Sequence, residues 1–122
     1  LCRYAEEFLG GAAIRCRLKV PALLPPAALS SAVRHDVFLI AKEALNNAVK
    51  HARASTVWLG LAFEGGLLTV SVEDDGRGFD AAAVRRGNGM SNMAERAARM
   101  GGTFRAGPRP EGGSRIAFSI PL

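Results

Sequence analysis

The sequence predicts an α+β fold: a two-layer α/β sandwich in which helices cover one face of a mixed, mainly antiparallel sheet. Two observations carry this. Runs of alternating or β-branched residues are interleaved with runs of helical spacing, in the order helix, strand, helix, two strands, helix, two strands. Both strand pairs are joined by short glycine-containing connections, Glu64-Gly65-Gly66 and "RPEGG" (109–113), as antiparallel hairpins require. A chain of 122 residues is the usual size of one domain with one core.

Each element has its own local reason. "LCRYAEEFL" reads as the end of a helix stopped by Gly10-Gly11. In "AIRCRLKV", Ile14, Cys16, Leu18 and Val20 alternate with Arg15, Arg17 and Lys19, which makes a half-exposed strand. "PALLPP" connects it to a long helix capped by Ser30 or Ser31, along which Val33, Val37, Ile40, Ala41, Ala44 and Ala48 keep helical spacing. "TVWLGLAFE" and "LLTVSVED" form the first hairpin. After the glycine-rich "DDGRGFDAAAVRRGNG", the helix "MSNMAERAARM" ends at Gly101-Gly102, and "GTFRAGP" and "SRIAFSIPL" close the sheet.

Composition narrows the function classes. Hydrophobic residues make up 48% of the chain, which suits a soluble globular domain rather than a disordered one. No apolar run approaches the roughly 20 residues that cross a bilayer. Arg3, Glu6 and Glu7 interrupt the start where a signal peptide needs an apolar region. A chain that begins at Leu1 rather than Met is expected to be a piece of something longer. Two cysteines, Cys2 and Cys16, make no disulfide framework, and with His35 and His51 they make no metal-ligand spacing, so a reducing, cytoplasmic setting is expected. The net charge of +5 suits an anionic ligand. Its Lys and Arg are scattered rather than striped among aromatics, so no nucleic-acid partner is expected.

Three polar clusters carry the chemistry. In "EALNNAVKHA" (43–52), Ala44, Leu45, Ala48 and Val49 form an apolar stripe while Glu43, Asn46, Asn47, Lys50 and His51 crowd the neighbouring face. The second, "DDGRGFD", follows directly on a strand, and two glycines one residue apart let the backbone turn and approach a ligand closely. It is not a Lys-containing phosphate loop, and it lacks the third glycine of a dinucleotide fingerprint. The third, "GNGMSNMAER", sets Gly87 and Gly89 at a helix start, where free amides favour an anion. Taken singly, each cluster reads equally well as a solvated face, a turn or a helix start.

Taken together and in this order, the clusters resemble the ATP-binding domain of histidine kinases, in the wider GHKL family shared with gyrase, Hsp90 and MutL. "KEALNNAVKHA" is similar to the family's N box, "DDGRGF" to its first glycine box and "GNGMSNMAERA" to its second. Gly112-Gly113-Ser114 stands where the last strands have their glycine-rich lead-in. The likeness runs from about residue 14 to the end, and "NMAER" with the short inter-box segment points to sensor kinases of the NarX/DesK type. The resemblance implies a Bergerat-type fold over residues 12–122, preceded at 1–11 by the end of a dimerisation-hairpin helix.

It also implies roles, with ATP and Mg²⁺ as cofactors. Asn47 offers its amide oxygen to Mg²⁺, and Glu43, one turn earlier on the same face, positions water near the metal; these two are the catalytic pair. Lys50 meets phosphate oxygens as a point charge, with His51 beside it. Asn46 lies about 100° away around the helix and is less suited to the metal shell. Asp74 is the adenine-reading carboxylate, with Gly76 and Gly78 passing close to the base, Asp75 forming the turn and Phe79 packing beneath. Gly87, Gly89 and the amides near Met90 and Ser91 cradle the β- and γ-phosphates. Arg85 and Arg86 either reach the phosphates or solvate the lid, Asn92 and Arg96 support the helix and Met93 enters the core.

In the family that the chain resembles, the histidine that receives the phosphoryl group belongs to a separate dimerisation domain. His35 is no substitute, because it sits about 12 Å before Glu43 on the same helix. The expected partners are therefore ATP or ADP, that domain and a downstream response regulator. The fragment itself is expected to be monomeric, without membrane contact and at most weakly active. The competing reading is an anti-sigma-factor-like serine kinase or binding module with the same boxes.

Overall fold

The computed structural model describes residues 2–19, 30–51, 54–76 and 89–121. Helix α1 (Cys2–Gly11) buries Ala5 and Leu9 completely. It runs through both of its glycines and stops where Ala13 N–H donates to Gly10 C=O (3.1 Å) and Ile14 N–H to Leu9 C=O (2.9 Å). The turning residue is Ala13 at φ 58°, a conformation glycine usually supplies at this position. The expected stop is thus near the mark, but the glycines are not what turns the chain.

Strand β1 (Arg15–Lys19) leads toward α2 (Ser31–His51), whose cap is Ser30: its hydroxyl accepts the Val33 N–H at 3.2 Å. Strands β2 (Thr56–Glu64) and β3 (Leu67–Asp74) form the expected hairpin, with Gly65 and Gly66 both at positive φ in the turn. Helix α3 (Gly89–Arg99) is followed by β4 (Thr103–Pro108) and β5 (Ser114–Pro121).

The five strands lie in the order β1-β2-β3-β5-β4. β1 pairs with β2 in parallel and every other pairing is antiparallel, so the sheet is mixed and mainly antiparallel as predicted. Alternation along β3 buries Leu68, Val70, Val72 and Asp74, and cross-strand partners Ile116, Phe118 and Ile120 face the same way. Against this face pack Ala5 and Leu9 of α1, Ile40, Ala44, Leu45 and Ala48 of α2, and Met93 and Ala97 of α3. Met93, expected in the core, is 1% exposed. On the opposite face Thr69 and Ser119 hydroxyls meet at 3.0 Å.

Leu18 departs from the expected strand face. Although it alternates with arginines and pairs with Leu59, it is 38% exposed, because β1 is an edge strand with a neighbour on one side only. Val20 lies outside the described residues. Among the described residues no helix is long and apolar enough to cross a membrane.

Candidate functional site

Period-two alternation delivers Asp74 to the covered face at the very end of β3. It is 5% exposed, the only buried charged or polar side chain among the described residues. One carboxylate oxygen, Oδ1, accepts the Gly76 N–H at 2.9 Å, so the chain turns back over its own side chain and holds the carboxylate in one orientation. Directly across the ladder lies Ser114, which places a hydroxyl on the same face beside Asp74.

The residue before it, Gly113, sits at φ +98° with its backbone against Asp74. A Cβ there would overlap the Asp74 carbonyl oxygen, 2.7 Å from the carbonyl carbon and 3.0 Å from Asp75 Cα. Only a residue without a side chain lets the β4–β5 loop close on the end of β3 in this way.

Asp75 does more than form a turn. Its Oδ1 accepts the backbone N–H groups of Ser55 and Thr56, both at 2.9 Å, and its Oδ2 accepts the Ser55 hydroxyl at 2.6 Å. Partial burial raises the carboxyl pKa, but the hydrogen bonds from Ser55 and Thr56 outweigh it and the net shift is downward from 3.8. The unfolded chain therefore binds this proton more readily than the folded one. The stability the clamp contributes is present above pH 3.8 and is lost as the pH falls below it. Because Asp75 is solvent-exposed, that contribution is about 1 kcal/mol. Chemical denaturation of wild type and Asp75→Asn at several pH values is expected to show the wild-type advantage at neutral pH and its decline as the pH falls below 3.8.

This clamp also limits how far the end of α2 can lie from the end of β3. Helix α2 ends at His51, and Ala54 follows within about 11 Å of chain, so the last turn of α2 stays close to the start of β2 that Asp75 grips. Glu43, Asn46 and Asn47 are half-buried on α2 and Lys50 is exposed near its end. Helix α3 lies beside α2 through the half-exposed ion pair of Arg96 with Asp36, 3.6 Å. Gly101 and Gly102, directly after α3, lie against Pro121 and Ser119, at the end of the β3–β5 ladder away from Asp74. The start of α3 at Gly89 therefore points toward the end of the sheet that holds Asp74.

Arg96 thus supports α3 as expected, while Asn92 is exposed. Gly78, Phe79, Arg85, Arg86 and Gly87, and the side chains of His51, Met90 and Ser91, lie outside the described residues. Gly113 and Ser114 were legible as a glycine-rich lead-in but not as neighbours of Asp74, because a strand register across forty residues leaves no local trace. Asp36 gave no signal at all. Among the described residues no group of three His, Cys, Asp or Glu is placed to hold a metal ion.

Comparison with known proteins agrees with this geometry. The chain is 38% identical over 101 residues to an uncharacterized sensor-like histidine kinase of Chloroflexus aurantiacus, covering 77% of this chain and 17% of that protein. It is 37% identical over 94 residues to the signal transduction histidine-protein kinase/phosphatase UhpB of Salmonella typhimurium, covering 77% and 18%. The chain therefore spans less than a fifth of the length of these curated relatives. Among solved structures, the histidine kinase domain of the blue-light activated histidine kinase of Erythrobacter litoralis superposes with a TM-score of 0.76 at 26% identity, covering 99% of this chain and 57% of that one. Residues 32–122 match the family described as histidine kinase-, DNA gyrase B-, and HSP90-like ATPase, and with three-quarters of its length accounted for the chain belongs to that family.

Proposed function

We propose that the chain is the ATP-binding catalytic domain of a sensor histidine kinase, presenting Mg-ATP for γ-phosphoryl transfer to a histidine on a separate dimerisation domain. The observation that carries the reading is Asp74, a buried carboxylate held in one orientation by the Gly76 N–H at the end of a strand. Burying a charge is unfavourable unless something uses it, and a carboxylate accepts a hydrogen bond from the 6-amino group of adenine. Guanine would turn a 6-oxo group toward the same carboxylate and be rejected. Ser114, beside Asp74, adds a second polar group facing the base, and Gly76 and Gly78 let the backbone approach it.

On the phosphate side, Lys50, His51, Gly87, Gly89 and the amides of Met90 and Ser91 receive the triphosphate. Asn47 and Glu43 are the metal-side residues, the first through its amide oxygen and the second by orienting water. Such a sparse donor set suits Mg²⁺, which keeps several waters and leans on substrate phosphates rather than a protein cage. Bound there, Mg²⁺ neutralises charge on the phosphate oxygens. Transfer to histidine calls for positioning more than for a strong base, so Glu43 and Asn47 hold geometry.

Residues 1–11 belong in this reading to the end of the dimerisation hairpin, and 12–122 to the ATP-binding domain. By itself the chain binds ATP as a monomer and does not autophosphorylate. In the whole protein it works on the cytoplasmic side and hands its phosphoryl group on to a response regulator. The relatives are sensor kinases, so the anti-sigma-factor reading is not favoured.

A thermal-shift titration with ATP, ADP and GTP, with and without Mg²⁺, tests the proposal. Adenine nucleotides are expected to raise the melting temperature, by the equivalent of about 2.7 kcal/mol at a hundredfold excess over Kd, and GTP is expected to leave it unchanged. Equal shifts with ATP and GTP would remove Asp74 from adenine recognition. No shift with any nucleotide would sink the proposal.

A further inference from the structure

The β4–β5 loop that carries Gly113 is fastened by one side chain. Its backbone closes on itself, Arg109 N–H donating to Gly113 C=O and Gly112 N–H to Arg109 C=O, both at 3.0 Å. The Arg109 side chain then lies down on the open face of the sheet, only 16% exposed. Its guanidinium carbon is 4.2 Å from the centroid of the Trp58 ring, Nη1 donates to Gly112 C=O at 3.3 Å, and Nε lies 3.5 Å from Glu73 Oε1 and 3.6 Å from Glu111 Oε2.

Glu73 is the neighbour of Asp74 and faces the opposite way. The same loop therefore grips the end of β3 from both sides, Arg109 on Glu73 from the open face and Gly113 on the Asp74 backbone from the edge. Stacking and ion pairing in a site this sheltered are stronger than at an open surface. Only a planar guanidinium can stack on the ring, bond the loop and face two carboxylates at once. One part of the clamp is slack. The buried Nε makes no hydrogen bond, and at 3.5 Å it stands about half an ångström short of one to Glu73.

We infer that Arg109 is a positioning residue for the nucleotide site, holding the loop that sets Asp74 in place, and that its stack on Trp58 senses whether the site is filled. The inference rests on the nucleotide-binding reading above. A nucleotide that draws on Asp74 moves the end of β3, tightens Glu73 on Arg109 and changes the environment of Trp58.

The chain has one tryptophan, so its emission reports Trp58 alone. Isothermal titration with Mg-ATP, run beside Trp emission on wild type, Arg109→Lys and Glu73→Gln, tests the inference. Arg109→Lys keeps the charge and loses the planar fork, and Glu73→Gln keeps the shape and loses the charge, so both are conservative enough to fold. Wild type is expected to change emission on binding ATP. Arg109→Lys is expected to bind ATP about tenfold more weakly with the emission change largely gone, and Glu73→Gln to fall between. A merely structural clamp would lower melting temperatures and leave the Kd of the folded variants alone. Unchanged affinity in both variants would overturn the inference while leaving the nucleotide site standing, as would an emission change that survives Arg109→Lys intact. Failure of wild type to bind ATP would overturn both.

Discussion

Asp74→Asn is expected to remove ATP binding without unfolding the domain. The amide oxygen of asparagine can still accept the Gly76 N–H that Asp74 accepts at 2.9 Å, and the side chain keeps its volume, so the turn survives. What changes is the other half of the group. An acceptor becomes an NH₂ donor facing the 6-amino group of adenine, and two donors meet in a buried place. Losing a charge-assisted hydrogen bond and leaving a buried group unpaired together amount to about 3–4 kcal/mol, or more than a hundredfold in Kd. Isothermal titration of the variant with Mg-ATP, beside a circular-dichroism melt, checks both halves of this expectation. Wild-type affinity in a folded variant would show that adenine is read elsewhere.

Gly113→Ala is expected to have the largest effect on stability of any single change discussed, and its neighbour supplies the control. Gly112 and Gly113 have nearly the same backbone, φ +100° and +98°, so alanine is strained at both. At Gly112 a Cβ meets nothing within 4 Å, whereas at Gly113 it overlaps the Asp74 carbonyl. Gly112→Ala should therefore lose only the conformational term, about 1–2 kcal/mol. Gly113→Ala should lose that and the close approach of two backbones, about 3 kcal/mol or more, because backbone atoms cannot swing aside as a side chain would. Urea midpoints of the two variants measure the difference. Nucleotide affinity should follow the same order, since the clash pushes directly on the residue proposed to read adenine. Equal losses in both variants would mean that the loop does not press on Asp74.

Much of the fold was legible because its signals are local. The hairpin at Gly65-Gly66 was written in residues that tolerate positive φ, and the α2 cap in Ser30, whose hydroxyl reaches only three residues ahead. The apolar stripe of α2 and the alternation of β3 could be read from spacing, because burial on one face imposes a period. Asp74 was singled out by the resemblance of "DDGRGF" to a glycine box, and alternation along β3 accounts for its burial.

Other features were decided by packing. Leu18 has the pattern of a buried strand residue and is exposed, because an edge strand is covered from one side. Asp75 looked like a turn former from its Gly neighbour, but its carboxylate is occupied by Ser55 and Thr56, roughly twenty residues earlier in the chain. Arg109 and Glu73 are ordinary loop and strand charges in sequence, and become a clamp only when the register Trp58↔Glu73 puts a ring and a carboxylate side by side beneath the loop.

The division follows from the range of the forces. Backbone conformation, caps and face periodicity depend on residues a few positions apart, so the sequence by itself determined the α+β class, the order of elements and the three polar clusters. Strand register and loop closure bring together residues from about fifteen to forty positions apart, such as Trp58 with Glu73 and Asp74 with Ser114, and no local preference encodes those meetings. Only the tertiary structure could decide that Gly113 presses on Asp74, that Asp75 ties β3 to the start of β2, and that Arg109 holds the far side of the same strand end.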